Sequence, residues 1–391
     1  MSSFTLETPA AIHFGSGSLQ RLREVATHHG RRVLLASGAR WLASSDWTAR
    51  IKELLSGFDL HVVACPEGEP STETVASCLE SARGFSPSLI VAVGGGSVVD
   101  TAKALSALLL HGGPVSKFLE GMPGSIPVPG PGVPWVAVPT TAGTGAEVTK
   151  NAVILASELG VKRSMRSAYL LASTVIVDPE LTRTLPARVT GISGLDALTQ
   201  LVEAYVTPKT NPFVQSLIEG AFGPMIFALE RLSAEPQNPD LRSAASYGAL
   251  VSGMALANAG LGAAHGFAAA LGGMFGVPHG LACAVSLPHV LDANAESIRT
   301  SLTRLTGSIH GEGNTASDVV QWLANKVTKI LRAFGLPVDL REYHIPAERI
   351  TEIAEKSSGS SMNGNPRQLS IAEREKILAK IMWGGTESPQ S

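Results

Sequence analysis

Between Arg242 and Asp292 the chain carries no Asp, Glu, Lys or Arg. A charge-free stretch of that length has to be covered, either by lipid or by a protein core broad enough to bury several helices. It is diluted with glycine and alanine and interrupted by Asn258, Gly272, Gly273, Pro278 and histidines, of which His265 and His279 flank the paired glycines. A bilayer span needs about 20 predominantly apolar residues, and polar groups in lipid are costly. The stretch therefore reads as small-residue core helices, with no membrane association, and it poses the question of what an uncharged interior does with these two imidazoles.

A core of that kind fits a chain of 391 residues, since single hydrophobic cores stop growing near roughly 250–300 residues and longer chains divide. Two domains are expected, 1–185 and 186–391. Hydrophobic residues make up 44% and charged ones 16%, the balance of a well-buried globular enzyme. The formal charge of -2 removes the electrostatic case for binding nucleic acid or an anionic membrane, leaving small molecules as the expected partners. Cys65, Cys78 and Cys283 are too few and scattered for a disulfide framework or a cysteine-built zinc site. The opening "MSSFTLETPAAIHFGSGSLQ" lacks a basic segment followed by an apolar one, so cytoplasmic localisation is expected.

The first half alternates two patterns. "RRVLLAS", "LHVVAC", "PSLIVAVGGGS", "PWVAVPTT" and "LASTVIVDPEL" contain short apolar runs ending in glycine or polar residues, as buried parallel strands do. "SSDWTARIKELLSGF" and "STETVASCLESARGF" open on Ser or Thr caps and carry helical apolar spacing. The alternation predicts an open parallel sheet with helices on both faces. Beyond about Leu185 the strand pattern stops and successive helices follow, with "PGSIPVPGPGVP" a surface loop and the tail "GGTESPQS" disordered.

Gly94, Gly95 and Gly96 fall directly after a predicted strand and before a predicted helix. Backbone without side chains can approach a phosphate closely, and a helix N-terminus favours its charge, so the turn is a candidate pyrophosphate site. It matches neither GxGxxG nor a Walker loop, and the competing reading is a tight turn that uses glycine for its backbone angles. Asp100 then binds a ribose hydroxyl or caps the helix, and Lys103 reaches a phosphate or is solvated. After the next strand, Thr140, Thr141 and Thr144 with Gly143 and Gly145 form a second polar turn, able to line the same crevice at the carboxyl ends of the strands.

In "GLDALTQLVEAYV", Asp196 and Gln200 share a helical face, and Glu203 lies close by as a rival ligand. A carboxylate with two imidazoles, His265 and His279, is a common ligand set for Zn²⁺ or Fe²⁺. The alternative is two core histidines bonded to backbone and an aspartate capping its helix.

Taken together, these blocks resemble the iron-containing (group III) alcohol dehydrogenases. "GGGSVVDTAKA", "VPTTAGTGAEVTKNAVI", "KRSMRSAYLLASTVIVDPELT", "GLDALTQLVEAYV", "HGFAAALGGMFGVPHGLACAVSLPHV" and "NPRQLS" carry the resemblance, in order, over nearly the whole chain. It implies an α/β N-terminal Rossmann-like parallel-sheet domain plus an all-α C-terminal metal and substrate domain, the two-lobe plan shared with dehydroquinate synthase, in a homodimer. Gly95, Gly96, Ser97 and Asp100 would then meet the cofactor pyrophosphate and ribose, with Thr140, Thr141, Thr144 and Lys162 flanking the rest. Asp196, His265 and His279 match three catalytic metal ligands, and Gln200 stands where a third histidine is expected. Glutamine offers only a neutral amide oxygen, a poorer ligand than imidazole. Ala269 replaces a further pocket histidine, making the pocket roomier and more apolar.

The resemblance implies an NAD(P)-dependent oxidoreductase that interconverts an alcohol and an aldehyde by metal-assisted hydride transfer with Fe²⁺ or Zn²⁺. Gly38, where NAD-preferring relatives often carry an acidic residue, and nearby Arg40 lean the choice toward NADP over NAD. The alternatives are a metal-independent enzyme like maleylacetate reductase and a lyase like dehydroquinate synthase.

Overall fold

The computed structural model describes residues 3–310 and 316–384; the tail expected to be disordered lies, apart from Gly384, outside them. By internal contacts the chain forms two units, one of Glu7–Thr141 and Gly145–Thr184, the other of Met1–Leu6, Ala142–Thr144 and Leu185–Ser391. The three residues Ala142–Thr144 of the second polar turn thus group with the helices.

The first unit contains β1 (Ala11–Phe14), α1 (Arg21–Thr27), β2 (Arg32–Gly38), α2 (Ala39–Ser44), α3 (Asp46–Leu54), β3 (Asp59–Cys65), α4 (Thr72–Ala82), β4 (Leu89–Gly94) and α5 (Gly96–His111). It continues with β5 (Trp135–Pro139), β6 (Asn151–Ala156), β7 (Val161–Arg166) and β8 (Thr174–Val177). Six strands form one parallel sheet in the order β1-β8-β5-β4-β2-β3. Every residue of β4 and β5 is buried, because both faces are covered. Val33, Leu35, Val91, Val93, Val136 and Val138 pack on one face with residues of α1 and α3, while α4 and α5 lie against strands of the sheet.

The chain passes outward from β2 to β3, then returns through α4 to place β4 on the other side of β2. The direction of winding therefore reverses between β2 and β4, and parallel sheets bind ligands beyond the carboxyl ends of strands at such a point. Gly38 ends β2 and Gly94 ends β4, with Ser37 Oγ donating to the Val93 carbonyl at 2.6 Å between them.

Two features were not anticipated. β1 is a four-residue edge strand, too short to show a pattern. β6 and β7 form a separate antiparallel hairpin, and β7, "VKRSMR", is half charged and mostly not buried, so it carries no apolar alternation.

The second unit contains α6 (Ala187–Val206), α7 (Pro212–Leu232), α8 (Pro239–Ala259), α9 (Ala263–Phe275), α10 (His279–His310), α11 (Ala316–Ala333), α12 (Ile350–Lys356) and α13 (Ile371–Trp383). No described residue beyond 185 lies in a strand. The charge-free stretch supplies α8, α9 and the start of α10, and α8 and α9 are bent 99° to one another at Gly260 to Gly262. Among the described residues α7 alone is long and apolar enough as a single helix to cross a membrane. Its Val214, Ile218, Phe222, Met225 and Leu229 are instead spent in the helical core.

Candidate metal and cofactor sites

Asp196, Gln200 and Glu203 stand at successive turns of α6 and are all buried. A buried carboxylate needs partners, and those of Glu203 are the start of α9. It accepts from the amides of Gly262 at 3.0 Å and Ala264 at 2.7 Å, and from His265 Nδ1 at 2.6 Å. No side chain of α9's own cap residue does this work, because that residue is Gly262. A Cβ there would lie 2.7 Å from Glu203 Oε1, so only glycine admits the carboxylate. Glu203, a rival ligand by sequence, is thus the group that seats His265.

An ionised carboxylate can only accept, so His265 donates from Nδ1 and a neutral ring directs its Nε2 lone pair away from Glu203. That Nε2 lies 3.4 Å from Asp196 Oδ1, and neither atom has a hydrogen-bond partner although both are buried. His279, the first residue of α10, brings its ring centroid to 5.5 Å from that of His265. Cys283, one turn further along α10, places Sγ 3.8 Å from His279 Nε2. One ligand atom from each of Asp196, His265, His279 and Cys283 falls within 4.8 Å of all the others.

The electrostatics match a cation. Burial would raise the Asp196 carboxyl, yet His265, His279 and Cys283 outweigh it and hold it below the usual carboxylate range. Burial would lower the His265 imidazole, yet Cys283, Asp196 and Glu203 outweigh it and raise its proton affinity well above the ordinary value. Burial pushes the Cys283 thiol up to about 12. Oxygen and nitrogen donors bonded to one ion at about 2.0–2.2 Å stand about 3.4 Å apart at tetrahedral angles, which is the separation of the two unpartnered atoms. The residues present fit a divalent metal.

Gln200 is engaged elsewhere. Its Oε1 accepts from Ser252 Oγ at 3.0 Å and its Nε2 donates to the Thr144 carbonyl at 3.2 Å. Ala269, one turn beyond His265 on α9, is exposed, so no side chain there closes over the imidazole. Cys283 was missed by sequence reasoning that weighed cysteines only as sets; its spacing of four from His279 within one helix was the available signal.

The glycine turn is built for close approach rather than for unusual backbone angles. None of Gly94, Gly95 and Gly96 has a positive φ. A Cβ on Gly94 would lie 2.6 Å from Val98, and one on Gly95 3.2 Å from Thr141. Gly95 caps α5 with no side chain bonding to the helix end, which leaves that end available to an anion. Ser97 is in the first turn, Thr140 is buried with its amide bonded to the Gly94 carbonyl, and Gly38 stands at the end of neighbouring β2.

Other expected cofactor contacts have protein partners. Asp100 accepts from Lys103 Nζ at 3.3 Å and from the Val153 amide at 3.0 Å. Lys103, expected at a phosphate or in solvent, is fully buried and also donates to Thr149 and to the Asn151 carbonyl. Lys162 pairs with Glu69 at 2.7 Å, and exposed Arg40 with Glu67 at 2.5 Å.

A parallel sheet with a glycine turn at its switch point, and a separate helical unit with a carboxylate and imidazole cluster, fit the class of dehydrogenases. Residues 9–179 match the iron-containing alcohol dehydrogenase family, and residues 190–382 match the Fe-containing alcohol dehydrogenase family, C-terminal. The chain belongs to the iron-containing alcohol dehydrogenase family.

It is 31% identical to the NADPH-dependent butanol dehydrogenase of Clostridium saccharobutylicum, over 98% of this chain and 99% of that one. It is 32% identical to the 1,3-propanediol dehydrogenase of Citrobacter freundii, over 83% of each. A crystal structure of a 1,3-propanediol oxidoreductase superimposes with a TM-score of 0.91 at 28% identity, over 97% of this chain and 100% of that one. The chain is accordingly an NAD(P)-dependent oxidoreductase acting on an alcohol and aldehyde pair, in a family that works with a metal. The maleylacetate reductase-like and dehydroquinate synthase-like readings give way to it.

Proposed function

We propose that this enzyme reduces an aldehyde to a primary alcohol, and the reverse, with Asp196, His265 and His279 holding a divalent iron or zinc ion. The observation that carries the reading is the buried pair of unpartnered atoms, Asp196 Oδ1 and His265 Nε2, at 3.4 Å. When bound, the ion acts as a Lewis acid that lowers the cost of negative charge on the substrate oxygen. Glu203 fixes the tautomer and direction of His265, leaving Nε2 as its donor. The Gly94, Gly95 and Gly96 turn, Ser97, Thr140 and Thr141 hold the dinucleotide, which carries the hydride. Asp100 and Lys162 support the same region, Asp100 by bracing α5 against Val153 and Lys162 by its pair with Glu69.

NADP(H) is the preferred nucleotide in this reading. Gly38 presents no carboxylate to repel a 2′-phosphate, and Arg40 follows it on the exposed start of α2. The similarity to an NADPH-dependent butanol dehydrogenase supports the same choice. The exposed Ala269 favours less polar carbonyl substrates over polyols.

The test uses butanal with NADPH or NADH, on protein as purified, stripped by a chelator, and reloaded with Fe²⁺ or Zn²⁺. Turnover should fall with the metal, return on reloading, and be higher with NADPH. Full turnover in the stripped protein would sink the metal reading. A preference for NADH would sink the nucleotide assignment alone.

A further inference from the structure

We infer that Cys283 supplies a thiolate as the fourth protein donor to the metal ion, in the role for which the sequence pattern offers only Gln200. The inference rests on the reading that Asp196, His265 and His279 bind a metal, and it concerns what completes their set.

Position is the first argument. Cys283 Sγ belongs to the group whose ligand atoms all fall within 4.8 Å of one another, and it stands 3.8 Å from His279 Nε2. Sulfur and nitrogen bonded to one ion at about 2.3 and 2.0 Å are separated by roughly 3.5 Å at tetrahedral angles, so small adjustments suffice. The backbone delivers both groups together, since residues four apart on α10 share a face. Asp196 and His265, both at least nine-tenths buried, direct unpartnered atoms into the same space.

The second argument concerns Gln200. Its amide oxygen receives the Ser252 hydroxyl and its amide nitrogen binds the Thr144 carbonyl, so both ends of the side chain are anchored away from a ligand's task. A glutamine reaching the ion would have to give up those bonds in a buried setting, whereas Cys283 Sγ already faces His279 Nε2. On binding, the thiol releases its proton to solvent and a sulfur lone pair forms the bond to the ion, with no change of oxidation state. One carboxylate, two imidazoles and one thiolate make a softer set than oxygen and nitrogen alone, one suited to Zn²⁺ as well as Fe²⁺.

Cobalt(II) tests this on the full-length protein. Metal-stripped enzyme is titrated with Co²⁺ alone, the bound metal is counted, and the near-ultraviolet spectrum is searched for thiolate-to-cobalt charge transfer. The wild type should bind one cobalt per chain with such a band. Cys283→Ser and Cys283→Ala should lose the band and bind cobalt at least about tenfold more weakly, since removing even a residue that only braces a ligand costs about 10–100-fold. Gln200→Ala should keep the band. One bound cobalt without the band in the wild type overturns the inference, as does a band that survives in Cys283→Ser or cobalt affinity unchanged in Cys283→Ala. Those results leave the metal reading standing if Asp196→Ala abolishes cobalt uptake. Uptake indifferent to Asp196→Ala brings down both.

Discussion

Glu203 and His265 are joined between two helices of the helical unit, with the carboxylate Oε2 2.6 Å from the imidazole Nδ1. The same carboxylate takes the amides of Gly262 and Ala264, so one side chain both caps the start of α9 and orients the His265 ring. Glu203→Gln keeps the shape but leaves one acceptor oxygen where three donors converge, so His265 Nδ1–H and the α9 amides must compete for it. Metal affinity should fall about 10–100-fold. Hydrogen bonds to a charged group contribute about 1.5–3 kcal/mol each, so the melting temperature should fall as well. Titration of the stripped variant with Zn²⁺ checks the first effect; a lowered melting temperature with unchanged zinc affinity would reduce Glu203 to a helix cap.

Asp196→Ala separates the two functions of the enzyme. It removes the carboxylate from the cluster, all four residues of which belong to the helical unit. Bound metal and turnover should both drop by on the order of 100-fold or more, because a ligand matters at least as much as the groups that brace it. Affinity for NADPH, read by fluorescence titration, should stay within about twofold of wild type, less than 0.5 kcal/mol. A parallel loss of nucleotide affinity would show that the substitution disturbs more than the ion.

Periodicity made much of this protein legible in its sequence. Strands β2, β4, β5 and β8 announce themselves because burial on both faces demands continuous apolar runs, β3 shows only the short run "LHVVAC" of a mostly unburied edge strand, and the charge-free stretch reads as core. The convergence of Asp196, His265 and His279 followed from resemblance, since spacing alone favoured two core histidines. Partners were harder to read. Nothing in the string says that Lys103 is buried under Asp100, Thr149 and Asn151, or that Gln200 binds Ser252, because those contacts join distant segments. Cys283 escaped notice because a single cysteine in an apolar helix usually behaves as a small hydrophobe.

Glu147, buried on the short turn Ala146–Val148, sets a pH dependence of stability. Burial, opposed by a backbone hydrogen bond and the charge of Lys103, moves its carboxyl from 4.5 to about 7. Between those values the native state keeps a proton that the unfolded chain has shed, so this group makes stability fall as pH rises from about 4.5 to 7 and level off above. Glu147→Gln removes that slope. At pH 8 the variant should be more stable than wild type by at most about 3 kcal/mol, and near pH 4 the two should be alike. Urea denaturation at several pH values checks this; a difference that does not depend on pH would assign the effect to packing.

The two glycines at the end of β4 should respond differently to the same methyl group. On Gly94 a Cβ would meet the β-branched Val98 at 2.6 Å, a buried neighbour fixed in the first turns of α5, so the turn or the helix must shift. Overpacking of this kind costs about 1–3 kcal/mol, and Gly94→Ala should lower the melting temperature. On Gly95 the nearest atoms are those of Thr141 at 3.2 Å, which need yield only a few tenths of an ångström. Gly95→Ala should therefore fold nearly as well as wild type. It should nonetheless bind NADPH about tenfold more weakly, about 1.4 kcal/mol, because the added methyl stands at the uncapped end of α5 where the pyrophosphate is expected to lie. Zinc content should be unchanged in both variants. Wild-type nucleotide affinity in a folded Gly95→Ala protein would move the phosphate away from this turn, leaving its three glycines explained by packing against Val98 and Thr141 alone.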